Sequence, residues 1–236
     1  MSQQLRSTTL GDTLIDYTVK RSRRRRRISL TVDEQGLRVG APLLASDHAI
    51  AAMLRQHASW VLGKLAEWQA RRPPPRHWCD GDTLMLQGRV LRLAFETGPQ
   101  YIQLHHDRIA VSPGLAGNAD GIRATVTGWL RRQAMACFYE RVAHFHPLLG
   151  VAAPLIRLSN ARTRWGSCHI YGRIRLNWRL IQLPQHLIDY VVVHELAHLV
   201  EMNHSPRFWE AVARLIPDYG ARRSEIRTEG HRYLLV

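Results

Sequence analysis

Tyr190-Val-Val-Val-His194-Glu195-Leu-Ala-His198-Leu-Val-Glu201-Met-Asn203-His204-Ser205-Pro206 is the segment on which the reading of this chain turns. Its apolar run from Ile188 to Val193 predicts a buried helix. Residues four apart share a helix face, so His194 and His198 are placed to hold one metal ion together. Glu195 follows the first of them, where its carboxylate reaches a water at that metal as a general base. Ser205-Pro206 reads as an N-cap and first position of a new helix, so the ligand helix should end around Met202. The chain would then turn at Asn203 and present His204 as a third ligand. Three neutral imidazoles leave one open position on a tetrahedral Zn²⁺, one ion per chain, as a catalytic site requires.

Working outward, the preceding segment contains Leu155–Leu158, Trp165-Gly166-Ser167-Cys168 and Arg173-Ile-Arg-Leu-Asn177. The first and last read as strands, with Gly166 in a tight turn. The strand just before the ligand helix would offer its edge to an extended peptide by backbone pairing, with the turn beside it. Trp165, Gly166, Ser167 and Asn177 are therefore the candidate substrate contacts. Cys168 beside His169 suggests a nucleophile and its base, but adjacent residues rarely meet in useful geometry, and a small buried position is the better reading. After His204, the apolar face Phe208, Trp209, Val212 and Leu215 would support the site from below. Pro217 stops that helix, and a last amphipathic helix is expected over 222–234.

The amino-terminal part reads as β-rich. Strands are expected at 13–20 and 28–33, the latter turning at Glu34-Gln35-Gly36 into 37–39, followed by one helix from Ser46 to about Ala70. Arg71–Arg76, with three prolines, reads as a stiff connector. Four short strands are expected between 84 and 112, and adjacent His105 and His106 point to opposite faces of theirs. A small-residue loop at 113–121 precedes a long helix from Ile122 to His146, ended by Pro147 and Gly150. The expected organisation is α+β, a β-rich half with one long helix at 12–115 and a catalytic half at 119–236.

Thirty-one of the 33 basic residues are arginine, and the net charge is +14. Arg23, Arg24, Arg25, Arg26 and Arg27 form one run. It reads as a nucleic-acid-binding patch or as a solvated strand edge that discourages pairing. No apolar run approaches the length of a membrane span, which argues against a membrane partner. The first residues show no signal-peptide core, and three scattered cysteines suit a reducing cytoplasm.

On Asp189–His198, Asn203-His204-Ser205, Phe208-Trp209, Trp165–Cys168, Leu176–Leu180 and, more loosely, the basic Arg21–Arg27 stretch, the chain resembles the YgjP-like family of zinc-dependent metallopeptidases. That family is in the zincin group and related to the SprT-like proteases. The resemblance implies a zincin-like catalytic half behind a β-rich half, zinc on His194, His198 and His204, and Glu195 as base in an HExxH motif acting on peptide or protein. The interval from His198 to His204 matches the metzincin spacing, but Glu201 stands where that group has glycine. Two alternatives accompany this reading: a metal-dependent nucleoside triphosphate pyrophosphohydrolase, and a SprT-like protease associated with DNA through the arginine run. The oxyanion donor is open among Tyr219, His231 and an arginine.

Overall fold

In the computed structural model, residues 3–33, 36–71, 77–96, 102–161 and 164–230 are described. The expectations for Glu34-Gln35, the connector at 72–76 and His231 lie outside them. The chain divides into two compact units, Met1–Arg72 and Pro73–Val236.

In the first unit, β1 (Gln3–Leu10) and β2 (Thr13–Ser22) form an antiparallel hairpin. Gly11 takes a left-handed φ of 60° in the turn. β1 escaped the sequence reading because it is mostly polar and lacks apolar alternation, and among its residues of described burial Leu10 is the one that is buried. β3 (Ser29–Asp33) and β4 (Gly36–Pro42) form the expected hairpin, and β4 also pairs in parallel with β2, giving the order β1-β2-β4-β3. The single helix expected after Ser46 is two helices. Ser46 caps α1 (Asp47–Gln56) through a 3.1 Å bond from the Ala49 amide, and the chain breaks at His57 before α2 (Ala58–Arg71). The break redirects the apolar stripe, so that Ile50 and Leu54 of α1 and Val61 of α2 share one core with Tyr17, Val19, Leu37 and Val39 of the sheet.

The second unit begins with β5 (Thr83–Leu86), β6 (Arg89–Phe95), β7 (Gln103–Leu104) and β8 (Arg108–Val111), in the order β5-β6-β8-β7. Gln87 and Gly88, both at positive φ, make the two-residue turn between β5 and β6. α3 (Ala119–Leu149) is capped by Asn118 and ended by left-handed Gly150. Pro147 lies inside its last turn instead of ending it, where its missing N–H removes only one bond. The boundary expected near 115–119 falls inside this unit. Leu84, Leu91, Leu93, Ile109 and Val111 share a core with Ile122, Val126, Leu130 and Phe138 of α3, a long-range packing that loop composition does not reveal.

β9 (Leu155–Ser159), β10 (Gly166–His169) and β11 (Arg173–Asn177) make a second sheet of this unit, ordered β10-β11-β9. α4 (Gln185–Ala197), α5 (Pro206–Leu215) and α6 (Tyr219–Thr228) complete it. Arg141 of α3 grips Asp189 of α4 with Nε at 2.7 Å and a second guanidinium nitrogen at 3.1 Å, a bidentate pair further tied by Gln185. No helix among the described residues is long and apolar enough to cross a membrane.

Candidate active site

α4 buries Leu187, Ile188, Tyr190, Val191, Val192, Val193, Leu196 and Ala197, so it is apolar on nearly every side. A helix held this way can carry polar groups only where they converge on a purpose, and it carries His194 and Glu195 at its end. It stops earlier than the sequence suggests. Ala197 is its last residue, and His198 caps it in helical conformation. The amides of Leu199, Val200 and Glu201 then bond back to Leu196 and Ala197, closing the turn. The Glu201 side chain accepts from the Asn203 amide at 3.2 Å, and its carbonyl lies 3.3 Å from His198 Nδ1. This is a use for a side chain at the position where the metzincin pattern has glycine: it shapes the corner that carries His204.

The three imidazoles converge. One ring nitrogen from each of His194, His198 and His204 lies within 4.8 Å of the others, and His194 Nε2 is 3.2 Å from His204 Nε2. Two nitrogens at about 2.05 Å from one tetrahedral metal ion stand about 3.3 Å apart, so the His194–His204 pair is spaced as two ligands of one ion would be. The Glu201 carbonyl orients His198 by accepting from Nδ1–H, which leaves Nε2 for a metal. Burial, together with the neighbouring His198 and His204, lowers the His194 pKa to about 3, so this imidazole stays neutral and available as a donor. Phe208 forms the floor, its ring centroid 5.0, 4.6 and 4.7 Å from those of His194, His198 and His204. Trp209 stacks between His204 and Tyr219 and braces the most exposed of the three histidines.

Glu195 is 5% exposed, and its Oε2 has no hydrogen-bond partner among the described residues. Burial pushes its pKa up to about 7, against the opposing pull of the Arg164 guanidinium. The carboxylate lies directly against Gly166. A Cβ built on Gly166 would stand 2.6 Å from Glu195 Cγ and 2.7 Å from Cδ, and closer still to Oε1.

Trp165 and Gly166 line the same cleft as Glu195 and His194, a space of about 230 Å³ that Arg164, Tyr190, Val191 and Ile226 also bound. Tyr190 stands one helical turn before His194, a spacing that was visible in the sequence. Arg164 and Ile226 carried no such signal. Gly166 is not in a turn: it opens β10, which the sequence reading did not separate from its neighbours. The strand before α4, β11, is central in its sheet, so its edges are taken by β9 and β10, and β10 is the edge strand beside Glu195.

Alternation along β10 puts Ser167 on the face opposite Gly166 and Cys168. Cys168 is half-buried, and burial with Glu195 nearby pushes its thiol up to about 11, the state of an inert cysteine. Asn177 offers substrate no surface. It is 5% exposed, donates to the carbonyls of Ala161 (2.7 Å) and Arg164 (3.4 Å), and accepts from the Arg179 amide at 3.1 Å. It holds the ends of the segment leading to Trp165. His105 is in ion-pair range of Glu96 and takes no part in the site.

A comparison with curated proteins gave no match. Among solved structures, the crystal structure of the metallopeptidase zymogen of Pyrococcus abyssi abylysin is similar at 26% identity over 39% of this chain and 93% of that one, with a TM-score of 0.37. The family model of the YgjP-like metallopeptidase domain matches residues 26–229, from the arginine run through the histidine triad to the end of α6. The chain belongs to the YgjP-like metallopeptidase family.

Proposed function

We propose that the protein is a zinc-dependent peptidase in which His194, His198 and His204 hold the metal and Glu195 is the catalytic base. The convergence of three imidazole nitrogens beside a buried carboxylate carries this reading. Zinc bound there supplies a Lewis acid that polarises a peptide carbonyl and acidifies water towards a pKa of about 7. The chain's own residues supply the rest. Glu195, poised near neutrality by burial, takes a proton from the attacking water as its oxygen bonds to the carbonyl carbon. The same carboxyl then gives that proton to the amine as the C–N bond breaks. Arg164 stands near enough to favour the carboxylate form of Glu195 before the step. An extended peptide would lie along the outer edge of β10, paired through backbone groups, with its carbonyl brought over the histidines.

Among the described residues, the cluster that could hold a metal is all imidazole. Magnesium prefers oxygen ligands, so this donor set favours zinc and peptide over a magnesium-dependent nucleotide substrate. The test is metal content with turnover. Wild type and Glu195→Gln should each retain about one zinc per chain, and only the wild type should cleave peptides. Wild-type turnover in the Gln variant, or a folded wild type that takes up no zinc, would overturn the assignment.

A further inference from the structure

The first unit carries charge out of proportion to its size. Residues 1–72 hold 13 basic and 6 acidic side chains, a net of +7, whereas residues 73–236 spread the same +7 over more than twice the length. Much of the excess is the loop between β2 and β3. Its backbone is organised: the Arg25 amide bonds to the Ser22 carbonyl and the Arg24 amide to Ser22 Oγ, each at 3.3 Å. Arg25 packs its guanidinium over Gly40 and donates to Ser29 Oγ at 2.6 Å, so it serves the fold. Arg21 is likewise engaged, by the Ala45 carbonyl and by Asp47, whose carboxylate also takes Arg6. That leaves Arg23, Arg24, Arg26 and Arg27, all exposed and without an acidic partner among the described residues.

Arg23 and Arg24 border a cleft of about 560 Å³ that reaches back to Gln4 and Ser22. Four uncompensated guanidinium groups on an anchored loop repel one another, and a polyanion relieves that repulsion. Arginine forks match phosphate oxygens two at a time, which a point-charge lysine does not. The surface is recessed, which suits a threaded phosphodiester backbone better than a flat plane of lipid headgroups. We infer that the first unit docks on the phosphate backbone of nucleic acid through Arg23, Arg24, Arg26 and Arg27. Contacts to phosphate carry no sequence information, so binding through these four arginines is independent of sequence. This inference does not depend on the peptidase reading.

The test uses the full-length chain and a short labelled DNA duplex, with binding followed by fluorescence anisotropy across a salt series. Each phosphate neutralised contributes about −0.9 to the slope of log K against log salt, so four arginines contribute about −3.6. Raising salt fourfold should therefore weaken their share of binding about 150-fold. Replacing all four by glutamine should make the slope shallower by about 3.6, whatever the rest of the basic surface adds, and replacing two should remove about half of that. Lysine at all four positions should keep the steep slope. Because the side chains are exposed, the melting temperature of each variant should match wild type, and this is checked alongside.

Equal slopes for wild type and the glutamine variant would overturn the inference. So would arginine-dependent binding to phosphatidylserine-containing vesicles with no duplex binding. That lipid arm matters because Leu43 lines the same cleft and its neighbour Leu44 is 94% exposed.

Discussion

Replacing Gly166 by alanine should separate catalysis from stability. The added methyl would stand 2.6 Å from Glu195 Cγ and 2.7 Å from Cδ. Carbon atoms pack at about 3.5–4.0 Å, so one of the two groups must yield by about 1 Å. Gly166 is bound into β10 opposite Leu176, whereas the carboxylate is the end of a side chain, so Glu195 is the group that moves. Small-to-large changes in packed sites cost about 1–3 kcal/mol, and a yielding side chain puts the stability loss near the lower figure. Catalysis has no such slack. A displacement of about 1 Å costs on the order of a hundredfold, or about 2.7 kcal/mol of transition-state stabilisation.

The assay is kcat/KM on a peptide substrate for wild type, Gly166→Ala, Glu195→Gln and the double variant, with zinc content and urea denaturation of each. The expected result is a loss of about a hundredfold in the alanine variant with zinc content unchanged, since the three atoms nearest the added methyl all belong to Glu195. The double variant should be no worse than Glu195→Gln alone, because both changes act through one carboxyl. Wild-type activity in Gly166→Ala, or an additive loss in the double variant, would refute the reasoning.

Phe208→Ala should destabilise the protein by about 3–5 kcal/mol and release zinc to a chelator faster, because the ring is fully buried under all three ligands; stopped-flow chelation with urea denaturation measures both, and an unchanged metal off-rate would contradict the role of a floor. In metal-free protein, Glu195 is raised from its ordinary 4.5 to about 7, so the folded state binds more protons than the unfolded chain between those values. The carboxyl therefore costs increasing stability as pH rises through that window, and wild type should lose stability relative to Glu195→Gln from pH 4.5 to 7. Urea midpoints of the two proteins across this range check the sign, and parallel curves would contradict it.

The histidine triad was legible because its geometry is local. Helix periodicity puts His194 and His198 on one face, and Ser205-Pro206 marks the restart that leaves His204 at a corner. The same local logic found the β3–β4 hairpin, the Ser46 cap and the long helix closed by Gly150. It failed where propensity was ambiguous or the partner was distant. The break at His57 carries no proline or glycine. β1 lacks the apolar alternation that betrays a strand. The linker at 113–121 reads as a boundary by composition, yet the strands before it bury their apolar faces against the helix after it.

By itself, then, the sequence determined that His194, His198 and His204 could meet with Glu195 beside them and that the fold mixes strands and helices, since these rest on spacings within a few residues. Only the tertiary structure decided what surrounds the base. Gly166 meets a carboxylate 29 positions away, which makes its missing side chain part of the proposed active site. Asn177 turned inward because two carbonyls of the 161–164 segment needed a donor. The parallel pairing of β9 with β11 put β10 on the edge, and no spacing in the chain encodes strand order. These features follow from which surfaces bury each other, and that is settled only when the whole unit has packed.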